Sequence, residues 1–266
     1  MALRRVDSEK WIDEQLVVVG SVKDAPGATT LSVGLVAGWP QPGAVLLEAD
    51  PDGGDLAARF GHHPDPGLFS LAAAARSGTG AGLLRRHVQR LRLDVDVVLA
   101  PPGDSAIAAV QTLAYSGPQV LRHAAGDAMV VADVGRLAQG GPGLALAAMA
   151  ADVVLVAHPT LDQLTQVQAR LGWLYEALGG RLWLALSGPG PYRAAEIGRD
   201  LGVDVAGELP DDDRGAGVLS GRLVGRGWPR LPLPRAARAI AWKLHDTRPR
   251  PAAPPVLHGA RAEVHQ

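Results

Sequence analysis

The chain has 266 residues, 47% of them hydrophobic and 20% charged, with a formal net charge of -1 at pH 7. This length lets a single α/β domain bury a sizeable core, and the balanced charge gives no whole-protein reason to expect nucleic acid or an anionic membrane as partner. The absence of cysteine excludes disulfides, thiolate iron–sulfur ligation and a cysteine nucleophile.

Apolar, β-branched runs alternate with helical patterns along the chain, which predicts a mainly parallel sheet with helices on both faces. The predicted strands are Leu16–Val19, Val45–Leu47, Val95–Leu99, Met129–Val131, Val153–Val156, Leu182–Leu186 and Val203–Val205. The predicted helices cover residues 29–38, 67–76, 105–114, 143–150, 160–178, 191–201 and 234–246.

The two ends of the chain differ from this α/β pattern. Residues 1–13 predict an N-terminal arm without the apolar core of a signal peptide, and residues 14–246 form the predicted domain. Residues 247–266 are rich in proline and poor in apolar side chains, which predicts a disordered tail. No run approaches the ~18 apolar residues of a membrane-spanning helix, so we expect a cytoplasmic protein.

Residues 16–30 read LVVVGSVKDAPGATT, a buried-type strand followed by a Gly/Pro loop and the start of a helix. In this context a loop can hold phosphate with its backbone N–H groups, aided by the helix dipole. The loop almost fits the pattern GxxxxGK[ST] through Gly27 and Thr29, but Ala28 stands where the phosphate-binding lysine is expected. Lys23 lies at the front of the loop instead.

The residue types in this loop suit a nucleotide. Gly27 permits close approach of the backbone, the Thr29 hydroxyl is placed for Mg²⁺, and Thr30 can contact an α-phosphate or cap the helix. The alternative is an ordinary strand–turn–helix junction capped by a threonine.

Two later strands end in carboxylates. Glu48 and Asp50 stand at the end of the strand that begins at Val45, and Asp133 stands at the end of the strand that begins at Met129. Ligands of open α/β sheets bind at the carboxyl ends of the strands, where such groups can orient water or hold hydrated Mg²⁺. Acidic residues that only lead strands into turns are the alternative.

Taken together, these segments resemble the ParA/MinD family of deviant Walker A ATPases, within the P-loop NTPase class. Residues 23–29 align without gaps with the family's loop, roughly KGGxGKT. The resemblance implies that Lys23 is the signature lysine, which reaches across a dimer interface to the partner's nucleotide. It also implies that Asp50 lies near the attacking water, with Glu48 replacing an earlier Asp, and that Asp133 is the Walker B residue.

The same resemblance, which covers about residues 14–245, implies ATP and Mg²⁺ as cofactors. Lys23 and Asp50 are then the catalytic candidates, and Thr29, Asp50 and Asp133 the metal candidates. The implied nucleotide-binding residues are Lys23, Pro26, Gly27, Ala28, Thr29, Thr30, Ser187 and Pro210, of which the last two would border the base.

Four positions depart from the family pattern. Ala28 removes the lysine that neutralises phosphate charge, and Asp24 adds a negative charge beside it. Gly135 stands where the family often has proline, and Ser187 replaces the asparagine that usually reads adenine. We therefore expect weak or absent hydrolysis, with adenine and guanine as alternative bases.

The resemblance implies a nucleotide-dependent homodimer that partitions or positions a cellular cargo, such as a chromosome or plasmid locus, through an unidentified cargo or activator protein. The alternative is a pseudo-ATPase scaffold that acts as a protein-interaction module without nucleotide. A metabolic enzyme of the same fold ranks last, because reductase-type relatives need cysteine ligands.

Two basic segments bear on partners. Arg85, Arg86, Arg90 and Arg92 predict a basic helix face over 83–93, which makes non-specific DNA a candidate partner, although a solvated face is the alternative. Residues 234–248 predict an amphipathic helix that closes the domain, in preference to a membrane anchor.

Overall fold

The computed structural model describes residues 13–24, 26–78, 80, 82–115, 121 and 128–248. The predicted arm, apart from Asp13, lies outside these residues. So does the predicted tail, apart from Thr247 and Arg248.

Eight strands form one sheet in the order β3-β4-β2-β5-β1-β6-β7-β8. All neighbouring strands are parallel except the edge strand β3, which runs antiparallel to β4. The strands are β1 (Asp13–Ser21), β2 (Val45–Glu48), β3 (Gln89–Leu91), β4 (Val95–Val98), β5 (Val130–Arg136), β6 (Ala150–Ala157), β7 (Arg181–Ser187) and β8 (Asp204–Leu209). The predicted mainly parallel sheet is confirmed.

Helices cover both faces of the sheet. They are α1 (Ala28–Ala37), α2 (Leu56–Phe60), α3 (Leu68–Ser77), α4 (Ser105–Tyr115), α5 (Pro142–Met149), α6 (Leu161–Ala177), α7 (Ala194–Leu201), α8 (Asp213–Leu219) and α9 (Pro232–Asp246). Each predicted helix is present. The short helices α2 and α8 were not predicted, because five and seven residues are too few for a clear apolar period.

The core lies in two layers, one on each face of the sheet. Successive residues of β1 alternate between them, with Leu16 and Val18 in one layer and Val17 and Val19 in the other. Both faces of the strand are therefore buried. This is why its sequence is a continuous apolar run and not an alternation of apolar and polar residues.

Helix α9 packs along the domain with its apolar stripe inward. Leu233, Ala237, Ile240 and Leu244 are buried in the same layer as α1. The stripe is therefore used in packing, as predicted for a closing helix. Within the described part of the chain, no helix is both long and apolar enough to cross a membrane.

The predicted basic helix over residues 83–93 is wrong. Leu84–His87 form a single 3₁₀ turn, and Gln89–Leu91 form β3. Two buried leucines, Leu84 and Leu91, are spaced for a helix as well as for a turn followed by a strand, so periodicity alone could not separate the two. Pairing decides for the strand, because Arg90 lies opposite Asp96 of β4 and forms a salt bridge with it at 2.7 Å.

The arginines of this segment are largely engaged within the domain. Arg85 also bonds Asp96, at 3.2 Å, and Arg92 donates to the Gly221 carbonyl at 2.7 Å while its guanidinium lies over the Phe60 ring. These contacts remove the uniform basic helix face on which the DNA candidate depended.

Candidate functional site

Three adjacent strands end at the edge of the sheet where the predicted site residues lie. Strand β5 lies between β2 and β1, with Asp133 opposite Glu48 on one side and Val19 on the other. The loop after β1 therefore starts beside Glu48, which ends β2, and Asp133, which lies within β5. The sheet order brings together segments that are about 100 residues apart in sequence.

The loop between β1 and α1 turns sharply into the helix. Gly27 adopts the left-handed region, with φ 100° and ψ 28°, and a Cβ atom there would meet no atom within 4 Å. The space before this residue is therefore open. Among the described residues no side chain caps the start of α1, so its first N–H groups face this space. Pro26 is buried, and Ala25 lies outside the described residues.

Thr29 and Asp133 meet behind the loop. Asp133 is only 1% exposed, its carboxylate accepts a hydrogen bond from the Gly135 N–H at 3.2 Å, and the Thr29 side chain lies close enough to help lower its pKa. Burial raises the pKa of Asp133 to about 6, while the Thr29 side chain and the Gly135 N–H oppose that rise. A cation here would be favoured, because it would offset the burial of this negative charge.

Asp50 lies against Gly135. A Cβ atom on Gly135 would collide with the Asp50 carboxylate, and Gly135 has φ +59°, a conformation that favours glycine. The proline that the family often has would not fit here. Burial raises the pKa of Asp50, and the N–H of Asp52, which donates at 2.9 Å, opposes the rise. Asp50 and Asp133 thus flank the same glycine.

Glu48 has a structural role. It is 2% exposed and accepts hydrogen bonds from the N–H groups of Asp55, Leu56 and Ala100 at 2.8, 2.9 and 2.9 Å. The carboxylate thus holds the start of α2 and the end of β4 beside β2. Burial raises its pKa to about 7. Sequence reasoning could place this residue at the strand end but could not identify its partners.

The front of the loop is tied to the start of α6. The Asp24 carboxylate accepts a hydrogen bond from the buried Gln163 amide. Lys23 is partly exposed and lies close enough to Asp162 to help lower its pKa, an effect caused mainly by the Thr160 side chain. This hydrogen bond ties the Asp24 carboxylate to α6.

Ser187 and Pro210 lie together at the ends of β7 and β8. Ser187 pairs with Leu209, and the N–H of Gly188 donates to the Leu209 carbonyl at 2.8 Å. Strand β6 separates these two strands from β1. The two predicted base-contacting residues are thus neighbours, displaced sideways from the loop.

Two cations near the carboxylates were missed by the sequence reading. Arg59 of α2 forms a salt bridge with Asp55 at 2.5 Å and acts electrostatically on Asp133. Arg136 ends β5 and acts on Asp50. Neither belongs to a motif. The only available signal was that Arg136 follows three residues after Asp133.

Comparison with solved structures identifies the fold. A ParA family ATPase from Chlorobium tepidum matches with a TM-score of 0.69 and 18% identity, over 87% of this chain and 98% of that one. MinD from Pyrococcus horikoshii, solved with Mg-ADP, matches with a TM-score of 0.65 and 14% identity, over 85% and 93%. An ATP complex of a McdA variant from Cyanothece matches with a TM-score of 0.60 and 17% identity, over 88% and 97%.

The chain has the ParA/MinD fold. No protein-family model matches it, and no curated protein matches its sequence. In this ParA/MinD fold, no group of three or more His, Cys, Asp or Glu side chains that could hold a metal occurs among the described residues.

Proposed function

We propose that this chain is a nucleotide-dependent dimeric switch of the ParA/MinD type, which positions a cellular cargo and hydrolyses ATP weakly or not at all. Two copies would associate when nucleotide is bound and separate when it is lost. The partners we propose are a second copy of the chain and a protein cargo or activator.

The observation that carries this proposal is the proximity of the Thr29 side chain to the buried Asp133, next to an open loop. A hydroxyl and a carboxylate are ligands that Mg²⁺ prefers, and the pair stands beside the uncapped start of α1. The structural neighbours include proteins solved with Mg-ADP and with ATP, which supports a nucleotide as the occupant.

The side chains present fit Mg²⁺ and nucleotide in part. Thr29 and Asp133 would hold the metal, with Asp50 close by, and the residues after Gly27 would hold phosphate through their N–H groups. Bound Mg²⁺ would neutralise phosphate charge. The fit is incomplete at Ala28, a buried apolar residue that carries no charge to the phosphates.

The same residues predict how hydrolysis would be limited. We propose that Asp50 orients a water molecule and that Lys23 reaches the partner's nucleotide. Without a lysine at position 28, one preorganised cation is missing from the transition state, and such a loss typically reduces the rate by about 10²–10³-fold. A slow or absent turnover follows.

A second candidate function is the pseudo-ATPase scaffold, which would bind protein partners without nucleotide. Two observations favour it: Ala28, the first residue of α1, packs in the apolar layer, and Asp24 places a carboxylate within the loop. Both features weaken a phosphate site, and neither weakens the fold.

Calorimetric titration separates the two candidates. The purified chain is titrated with ATP and a non-hydrolysable analogue, with and without Mg²⁺, while its molecular mass is followed. Micromolar binding that needs Mg²⁺ and doubles the mass supports the switch. No binding at millimolar nucleotide overturns it and leaves the scaffold.

A further inference from the structure

The site combines several carboxylates with few available cations. Asp50 and Asp55 follow β2, Asp133 lies within β5, and Ala28 contributes no charge. Of the cations near them, Arg59 is bound to Asp55. A triphosphate entering this site would need a positive charge from another residue.

Arg136 is the residue best placed to provide it. It pairs with Ser21, the last residue of β1 before the loop, and the next N–H, that of Leu137, donates to the Ser21 carbonyl at 2.8 Å. Its preceding neighbour, Gly135, lies directly against the Asp50 carboxylate. The backbone of Arg136 is therefore fixed between the start of the loop and Asp50.

The side chain of Arg136 is free to bind a ligand. It is exposed, and its guanidinium has no hydrogen-bond or salt-bridge partner among the residues that the structure describes. By contrast, Arg248, at the other end of the sheet, is bound by Asp152. A fixed backbone with an unengaged guanidinium suits a residue that completes its contacts only when a ligand arrives.

We propose that Arg136 binds the terminal phosphates of the nucleotide and supplies the positive charge that Ala28 lacks. This inference rests on the proposed nucleotide switch and names the residue that makes phosphate binding feasible in this chain. A guanidinium presents two parallel N–H donors to a phosphate, so it can replace a lysine by contact from a different direction.

The test compares Arg136→Ala and Arg136→Lys with the parent chain, using ATP and AMP in the presence of Mg²⁺. Arg235→Ala is the matched control, because Arg235 is also exposed and lies on α9, outside the strands and the loop that form the site. A charge-assisted contact of this kind changes affinity by about tenfold or more. We expect Arg136→Ala to weaken ATP about tenfold and AMP hardly at all, and Arg136→Lys to restore part of the loss.

A second comparison tests whether Arg136 takes the place of the missing lysine. In an Ala28→Lys background, the loss on Arg136→Ala should be smaller than in the parent chain, since the two cations would share one task. Equal losses in both backgrounds would contradict the substitution of one cation for the other. If Ala28→Lys does not fold, the single variants at position 136 still decide the phosphate contact.

The same titrations distinguish failure of the nucleotide switch from failure of the role proposed for Arg136. If the parent chain binds no nucleotide, the proposed switch fails and this inference fails with it. If the parent binds ATP and Arg136→Ala binds it equally well, only the role of Arg136 is overturned. Equal weakening of ATP and AMP would also overturn it, because a contact to the terminal phosphates cannot act on AMP.

Discussion

The Glu48 carboxylate accepts three backbone hydrogen bonds in a place almost closed to water. Removing a negative charge from water has a large free-energy cost, and the three N–H donors offset only part of it. Its pKa is therefore raised from 4.5 to about 7. At neutral pH the residue is poised between its two charge states.

This raised pKa makes the stability of the domain depend on pH. The folded state holds the proton more tightly than the unfolded chain, so the contribution of Glu48 is fully present below about pH 4.5 and is lost as pH rises through about 7. The difference between these pKa values corresponds to about 3 kcal/mol at most.

We predict that Glu48→Gln will flatten this dependence, because glutamine stays uncharged throughout. Urea unfolding at several pH values between about 5 and 8 measures the free energy of unfolding of the parent and the variant. The variant should also lose some stability at acid pH, since its amide nitrogen cannot accept one of the three hydrogen bonds. Parallel curves for the variant and the parent would contradict the raised pKa.

Lys23 is the residue on which nucleotide-dependent dimerisation is expected to depend. We propose that Lys23 bridges two protomers through the nucleotide. Its side chain is partly exposed, so it can move away from Asp162 to reach the partner. Lys23→Ala should therefore abolish dimerisation by ATP while leaving the monomer folded. Light scattering with and without ATP measures this, and Arg235→Ala serves as the control. A variant that dimerises with ATP as well as the parent would falsify the bridging role.

At the scale of elements, Asp212 joins the starts of two helices. One carboxylate oxygen accepts the N–H of Gly215 in α8 at 2.9 Å, and the other accepts the N–H of Leu233 in α9 at 3.0 Å. A single side chain thus satisfies orphan donors on both helices. The short α8 is held in place partly by this connection to the closing helix.

We predict that Asp212→Ala will lower the free energy of unfolding by about 2 kcal/mol, because it removes two capping bonds worth about 1 kcal/mol each. Asp212→Asn keeps one acceptor and should lose about half as much. Urea denaturation measures both losses, and the m-value should be the same for the parent and the two variants. Equal stabilities for the alanine variant and the parent would show that water replaces the caps.

The elements also show where sequence reasoning succeeds. The strand, loop and helix at 13–37 were predicted because an unbroken apolar strand, a Gly/Pro loop and a threonine pair each constrain the local backbone. The segment at 83–93 was wrongly predicted as a helix, because its strand is fixed by pairing with β4. The spacing of apolar residues within the segment does not encode that pairing. The fit between Gly135 and Asp50 depends on sheet order, which a motif does not contain.

Across the whole molecule, the carboxyl ends and the amino ends of the strands carry opposite arrangements of charge. The carboxyl edge holds the open loop and the partly satisfied carboxylates. At the amino edge, the fully buried Asp152 of β6 accepts from Trp183 Nε1 at 2.8 Å and forms salt bridges with Arg181 at 2.9 Å and Arg248 at 3.0 Å. One edge is left open to a ligand, and the other is closed by charge pairing.

Arg248 closes that edge with the last described part of the chain. Besides Asp152, its guanidinium donates to the Glu14 carbonyl at 2.7 Å and lies over the Trp39 ring at 5.4 Å. Strand β1, strand β6 and the segment that follows α9 are thus held together by one side chain. Burial lowers the pKa of Arg248, and the charge of Asp152 opposes this change.

We predict that Arg248→Ala will lower the free energy of unfolding by about 3 kcal/mol, because it leaves Asp152 buried with half of its charge compensation. Arg181→Ala is the matched control at the same carboxylate. Arg181 is 38% exposed against 11% for Arg248, so water can replace it and the loss should be about 1 kcal/mol. Thermal and urea unfolding measure both, and similar losses would mean that burial does not set the strength of these pairs. ATP affinity should be unchanged in both variants, because the strand ends that hold the loop lie at the opposite edge of the sheet.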